Sequence, residues 1–229
     1  TPDYSSDDVH RTTLPAYWVP IGGGIGQKES YYTESVSKLS GLAGLRIYNQ
    51  RGCLTRGVMQ RVQVPPNAIS ATFSAFVRAS TSSGAIARVG VDPTGGSDIN
   101  SSDIVWASYE RTDTAWEQES VTAAPAGTVV TVFLSMHNAE GTTGLAHYAD
   151  FDDTSLTFVQ DQTPPTAFAV STQSPWPFTS YLSASLEPLP TDPESGIALI
   201  EYAIGTTAGG EEVRAFTPSA DQSSVSAYG

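Results

Sequence analysis

The sequence predicts an all-β protein: an antiparallel β-sandwich of jelly-roll type, followed by a second, smaller β module. Three observations carry this prediction. Charged residues make up only 15% of the 229 residues, and the polarity comes mostly from Ser, Thr, Gly and Asn. Long surface helices carry many Lys and Glu, so this balance points to strands and turns. The 20 Gly and 15 Pro fall between apolar runs and punctuate them. No stretch has a convincing helical period, whereas short β-type runs recur along the chain.

In order, these runs are Tyr31–Val36, Leu45–Gln50, Val58–Val64, Ala71–Ala79, Ile86–Asp92, Ile104–Glu110, Trp116–Ala123, Val129–Met136 and Tyr148–Val159. Val129–Met136 sets Val130, Val132, Leu134 and Met136 on one face, and Val129, Thr131, Phe133 and Ser135 on the other. One fully apolar face and one mixed face are what a strand inside a sandwich presents. Ala71–Ala79 puts Phe73, Ala75 and Val77 on one side in the same way. Many short strands at this spacing predict a sandwich over residues 1–160.

A connector follows at 161–166, where Pro164 and Pro165 hold the chain extended. Residues 167–229 resume the strand pattern with Ala167–Thr172, Tyr181–Leu186, Leu199–Gly205 and Glu212–Phe216; Pro193 and Gly196 are placed for a tight reversal between the second and third. This module has roughly 65 residues, whereas a seven-stranded immunoglobulin-type sandwich takes on the order of 85 to 100. It is read as incomplete, with no closing strands before Gly229. Either the chain is truncated or a partner supplies the missing strands to open edges.

The net charge of −13 repels phosphate backbones and anionic headgroups, and Lys28 and Lys38 are the only lysines. Nucleic acid and membrane surfaces are therefore poor candidate partners. No apolar run reaches transmembrane length and no signal peptide is present, so the chain reads as a mature or excised piece of something larger. Cys53 stands alone and reads as a small buried apolar residue. His10, His137 and His147 are scattered, and no nucleophile elbow, His-Glu-x-x-His or phosphate-loop pattern occurs. The glycines of residues 22–26 form a turn, since no lysine follows at the required spacing.

Two ordered sets of residues carry a family resemblance. Gly57–Pro66, Arg88–Gly96, Ile104–Trp106, Val129–Phe133 and Asp150–Leu156 together resemble the galactose-binding-like jelly rolls among carbohydrate-binding modules of secreted bacterial proteins. Asp161–Pro165, Asp192–Ile197 and Glu201–Gly205 resemble bacterial immunoglobulin-like or fibronectin type III-like repeats, which act as spacers. The resemblance implies a non-catalytic module that binds a glycan. It also implies a structural Ca²⁺, an ion that takes six to eight oxygen ligands.

The oxygen-rich candidates for that ion are Asp92, Asp98 and Asp103 around Gly95 and Gly96, and Asp150, Asp152 and Asp153 near the last strand of the first module, with Asp92, Asp98, Asp152 and Asp153 foremost. For Asp92 and Asp98 the competing reading is a turn former that bonds its own backbone. Adjacent acids such as Asp152 and Asp153 need compensation, by a cation or otherwise.

Sugars dock by stacking on exposed aromatic rings. Trp106, which follows the Gly- and Asp-rich loop, is the leading candidate platform, with Tyr31, Tyr32 and Tyr109 beside it. Trp18 and Tyr48 are further aromatics of this kind, and Trp116, opening a strand after a turn, is read as core.

The expectation is an extracellular or cell-surface attachment module for glycans. The competing expectation is a structural subunit of a surface fibre, sheath or adhesin stalk, self-associating through the incomplete second module. Enzymatic function ranks behind both.

Overall fold

The computed structural model describes residues 10–11, 14, 16–21, 29–34, 38–49, 55–79, 85–108, 115–138, 147–172, 181–219 and 223–228. The chain divides into two compact units, Thr1–Gln160 and Asp161–Gly229. Among the described residues no helix is long and apolar enough to cross a membrane.

The first unit is a sandwich of two sheets. Strands β1 (His10–Arg11), β3 (Glu29–Glu34), β4 (Gly44–Asn49), β11 (His147–Gln160), β6 (Ala68–Ala79) and β9 (Glu117–Ala123) lie side by side in that order in the first sheet. The second sheet runs β2 (Val19–Ile21), β5 (Arg56–Gln63), β10 (Val129–Asn138), β7 (Ala85–Asp92) and β8 (Val105–Trp106). The pairings are antiparallel except for a two-residue parallel match of β1 to β3. From β4 onward nearly every connection crosses from one sheet to the other, which is the jelly-roll path.

Alternation decides which side chains enter the core. In β6, Ala71, Phe73, Ala75, Val77 and Ala79 are buried, while Thr72, Ser74, Phe76 and Arg78 alternate with them and point outward. Val130, Val132, Leu134 and Met136 of β10 meet this face from the opposite sheet, with Phe151 and Ile47 among them. The outward residues of β10, Thr131, Phe133 and Ser135, are buried too. A segment that covers the second sheet accounts for this, and it departs from the sequence reading. Ile104–Glu110 was expected as a strand, yet of its described residues, 104–108, only Val105–Trp106 form a strand, and residues 93–104 form turns across the sheet. Ile99 and Ile104, both buried, pack on Phe133 there.

The second unit holds a three-stranded sheet, β12 (Ala169–Thr172), β13 (Tyr181–Glu187) and β16 (Ser224–Tyr228), and a two-stranded one, β14 (Glu201–Ile204) with β15 (Arg214–Pro218). The expectation of no closing strand is corrected, because Ser224–Tyr228 pairs antiparallel with β13. Its polar–apolar alternation, with Val225 between Ser224 and Ser226, is a strand signal. The reversal at 191–196 forms as expected: Asp192 Oδ1 accepts the Glu194 and Ser195 N–H groups, at 2.9 and 3.0 Å, and Gly196 has φ +74°.

The connector is held by more than its prolines. Glu194 Oε2 accepts the N–H groups of Gln162 and Thr163 and the Thr163 hydroxyl, at 2.9, 3.0 and 2.9 Å. The Gln162 N–H, followed by the Thr163 hydroxyl and N–H, lowers the Glu194 pKa to about 2. A depressed carboxylate favours the folded arrangement above its ordinary pKa of 4.5, and that contribution fades as pH falls towards 2.

Candidate functional site

Three strands of the first sheet each place a charged residue on its outer face, because their neighbours are apolar and take the inner one. Leu45 and Ile47 of β4 are buried in the core, which turns Arg46 outward. Ala149 and Phe151 of β11 do the same for Asp150, and Val77 and Ala79 of β6 for Arg78. Register aligns Arg46 with Asp150, and Asp150 with Arg78, in one row across the sheet.

The row is closely bonded. Arg46 Nε donates to Asp150 Oδ1 at 2.6 Å and its Nη2 to Oδ2 at 2.8 Å, a two-pronged guanidinium–carboxylate pair. Arg78 Nε donates to Asp150 Oδ2 at 2.9 Å. The Asp150 side chain has no exposed surface, and those of Arg46 and Arg78 keep 17% and 23%. Aromatic rings flank the row: Arg46 lies 4.3 Å from the Tyr148 ring centre and Arg78 lies 4.7 Å from that of Trp116. Trp116, expected in the core, is half-buried on this face, just ahead of β9. Its position follows from β9, whose inward residues are Glu119, Val121 and Ala123, leaving the even-numbered positions outside.

Of the six carboxylates that were candidates for Ca²⁺, Asp92, Asp98, Asp150, Asp152 and Asp153 accept hydrogen bonds. A bulge between Asp152 and Ser155 re-aims β11 at the end of the face, with Asp153 at φ +47°. Asp152 Oδ2 accepts the Leu39 and Ser40 N–H groups at 2.7 and 3.0 Å, its Oδ1 accepts the Asp153 N–H at 2.9 Å, and Asp153 Oδ1 accepts the Ser40 hydroxyl at 2.7 Å. These bonds supply the compensation that adjacent acids require. Asp92 Oδ1 accepts the Thr94 N–H and hydroxyl at 2.8 and 2.7 Å, and Asp98 Oδ1 accepts the Asn100 N–H at 2.9 Å. Both are turn formers. Among the described residues no three His, Cys, Asp or Glu side chains converge to hold a metal ion. Asp92 Oδ2 is buried without a hydrogen-bond partner, whereas Ca²⁺ takes six to eight convergent oxygens.

Trp106 lies on the other sheet. Its ring packs 6.1 Å from that of Phe133, at 52°, and Arg88 sits 3.9 Å from its centre. Gly90 lies beneath it, where a Cβ would come within 2.6 Å of Trp106 Cε3. The tryptophan thus closes the small cluster of Ile99, Ile104 and Phe133. Tyr31 and Tyr32 fall in β3, where Tyr32 pairs in register with Arg46, and their side chains lie outside the described residues. Tyr109 and Cys53 also lie outside them. The structure therefore does not bring Trp106 to the charged row, and the residues it does bring there were legible in part. Arg46, Asp150 and Arg78 each interrupt an apolar alternation with a charge, a signal that singles out an outer-face position.

No family model matches the chain, and no curated protein does. Among solved structures the fold is similar to TmCBM61 in complex with β-1,4-galactotriose, with a TM-score of 0.43 and 16% identity over 63% of this chain and 90% of that one. It is similar to the family 11 carbohydrate-binding module from Clostridium thermocellum in complex with a β-1,3-1,4-mixed-linked tetrasaccharide, at TM-score 0.39 and 11% identity over 64% and 91% of the two chains. A third likeness is to the K1 cleaved adhesin domain of Lys-gingipain from Porphyromonas gingivalis W83, at TM-score 0.43 and 18% identity over 63% and 92%. Likenesses this distant carry no ligand or activity over to this chain.

Proposed function

We propose that the first unit is a non-catalytic extracellular attachment module that binds a glycan on the outer face of its six-stranded sheet. The observation that carries this reading is the Arg46–Asp150–Arg78 row flanked by the Tyr148 and Trp116 rings. A sugar offers apolar C–H faces to rings and hydroxyls to charged planar groups. Here the guanidiniums are already fixed by Asp150, so a ligand orders few side chains when it binds. The Lys-poor composition, rich in Ser and Thr, supports an extracellular setting.

Affinity gel electrophoresis against a panel of soluble polysaccharides tests the reading. At least one polysaccharide is expected to retard the protein, and Trp116→Ala or Tyr148→Ala to lose ten-fold or more in affinity, about 1.4 kcal/mol. No retardation by any polysaccharide, or unchanged retardation in both variants, would overturn it.

A second reading, a structural subunit of a surface fibre, draws support from the second unit. Its two sheets leave an apolar cleft of about 450 Å³ lined by Val170, Leu182, Tyr202 and Phe216. Of these, Val170 and Phe216 are 60% and 65% exposed. Light scattering decides this point, since a monomer at high concentration counts against a fibre.

A further inference from the structure

We infer that Asn100 is an acceptor for N-linked glycosylation, a covalent modification site on the side of the sandwich away from the proposed ligand face. The inference rests on the extracellular reading alone and not on glycan binding. The chain has four asparagines, Asn49, Asn67, Asn100 and Asn138, and the residues two positions after them are Arg51, Ile69, Ser102 and Glu140. Only Asn100-Ser101-Ser102 therefore supplies the Asn-x-Ser/Thr acceptor pattern, with a residue other than proline in the middle.

The fold turns this triplet outward. It lies on the segment that covers the five-stranded sheet, between Ile99 and Ile104, which are buried and packed on Phe133. Ile99 is seated over Gly57, where a Cβ would come within 3.0 Å of Ile99 Cδ1. These two anchors fix the ends of the stretch. Between them Asn100, Ser102 and Asp103 are exposed and Ser101 is half-buried. Asp98 shapes the turn: its carbonyl accepts the Ser101 N–H at 3.0 Å, and its Oδ1 accepts the Asn100 N–H at 2.9 Å and Asn100 Nδ2 at 3.3 Å. A carboxamide nitrogen carries two hydrogens, so the Asn100 amide is oriented at the surface through one of them while the other remains for reaction.

The co-substrate is a lipid-pyrophosphate-linked oligosaccharide. Asn100 Nδ2 forms a bond to the anomeric carbon of its first sugar, and the bond from that carbon to the pyrophosphate breaks. The lipid pyrophosphate leaves with the bonding electrons and the amide gives up one proton, so nothing is oxidised or reduced. The attached group stands clear of the buried Ile99 and Ile104 side chains and costs the fold no packing. It also lies on the opposite sheet from the Arg46–Asp150–Arg78 row, whose face stays open. A bulky, solubilising group at this position covers a segment that closes an apolar cluster. The competing account is that a Ser-rich composition produced the triplet and that Asn100 serves only the turn.

Secretory expression of the full chain in yeast, followed by peptide-N-glycosidase treatment and peptide mass spectrometry, separates the two accounts. Most secreted chains are expected to carry a glycan on the peptide that contains Asn100, released to leave an aspartate at that position. Asn100→Gln and Ser102→Ala are each expected to abolish the modification, whereas Ser101→Ala, within the same turn, keeps it. Melting temperatures before and after glycan removal are expected to agree within about 2 °C. Should secretion fail, a purified single-subunit oligosaccharyltransferase with its lipid-linked donor provides the same comparison on protein made in the cytoplasm. An unmodified Asn100, a glycan that survives Ser102→Ala, or a chain several degrees less stable with its glycan than without would overturn the inference. None of these outcomes touches the six-stranded sheet, so polysaccharide retardation of the Asn100→Gln variant reports separately on the glycan-binding reading.

Discussion

The two outer faces of the first unit each carry an arginine stacked on a tryptophan, and they use the pair differently. On the five-stranded sheet Arg88 lies 3.9 Å from the Trp106 ring, and that ring packs over Phe133 together with Ile99 and Ile104. On the six-stranded sheet Arg78 lies 4.7 Å from the Trp116 ring, and its Nε reaches Asp150 in a polar row. One face is closed by its own chain; among the described residues the other presents rings, charges and hydroxyls. The closure follows from what precedes Trp106. Residues 93–104 bring two isoleucines that need burial, and folding back over the sheet buries them. A ring that follows such a segment is drawn into the closure with it.

The largest expected effect breaks the open face. Asp150 is buried between two guanidiniums, so Asp150→Ala removes the carboxylate that both of them share. Loss of one member of a buried ion cluster costs about 3–5 kcal/mol. For a unit of this size each kcal/mol lowers the Tm by about 2–4 °C, so a fall of about 10 °C is expected in calorimetry. A Tm unchanged by this substitution would show that the row does not hold the face together.

Trp106→Ala addresses the closed face and comes next in size. Removing a half-buried ring from the Ile99–Ile104–Phe133 cluster is expected to cost about 3 kcal/mol. Glycan retardation of the folded variant is expected to match the wild type. The opposite outcome, an unaltered Tm with retardation lost, would move the binding surface to the five-stranded sheet and invert the comparison.

Much of this arrangement could be read from the residues alone. Strand alternation located nearly every long strand of the sandwich, because burial on one face imposes a period of two that Ala71–Ala79 displays plainly. It could not say what covers a strand's other side. Phe133 looked like one member of a mixed face, and only the fold of residues 93–104 makes it core. Trp116 was misplaced for the converse reason: its neighbours Glu117 and Gln118 give no alternation at the point where β9 begins. The Arg46–Asp150–Arg78 row joins Asp150 to residues 104 and 72 positions away, and its register rests on pairings between β4, β11 and β6 that no local pattern specifies.

The comparison extends to how a loop beside each face is tied down. Beside the open face, Asp152 and Asp153 hold Leu39 and Ser40; beside the closed one, Asp92 holds Thr94. At the bulge the carboxylates accept backbone N–H groups and a hydroxyl, whereas Asp92 accepts on Oδ1 alone and leaves Oδ2 buried without a hydrogen-bond partner; among the described residues no set of three acidic, His or Cys side chains converges at either place. A Ca²⁺ ion at a hundred times its Kd would add about 2.7 kcal/mol to stability, which for a unit of this size raises the Tm by several degrees. Thermal melts in EDTA and in millimolar Ca²⁺ are therefore expected to coincide within about 1 °C, the smallest effect in the series. A rise of several degrees in Ca²⁺, abolished by Asp152→Asn but not by Asp92→Asn, would place an ion at the bulge and make the open face the metal-dependent one. The reverse pattern would assign the ion to the closed face, so the pair of variants reports on both loops at once.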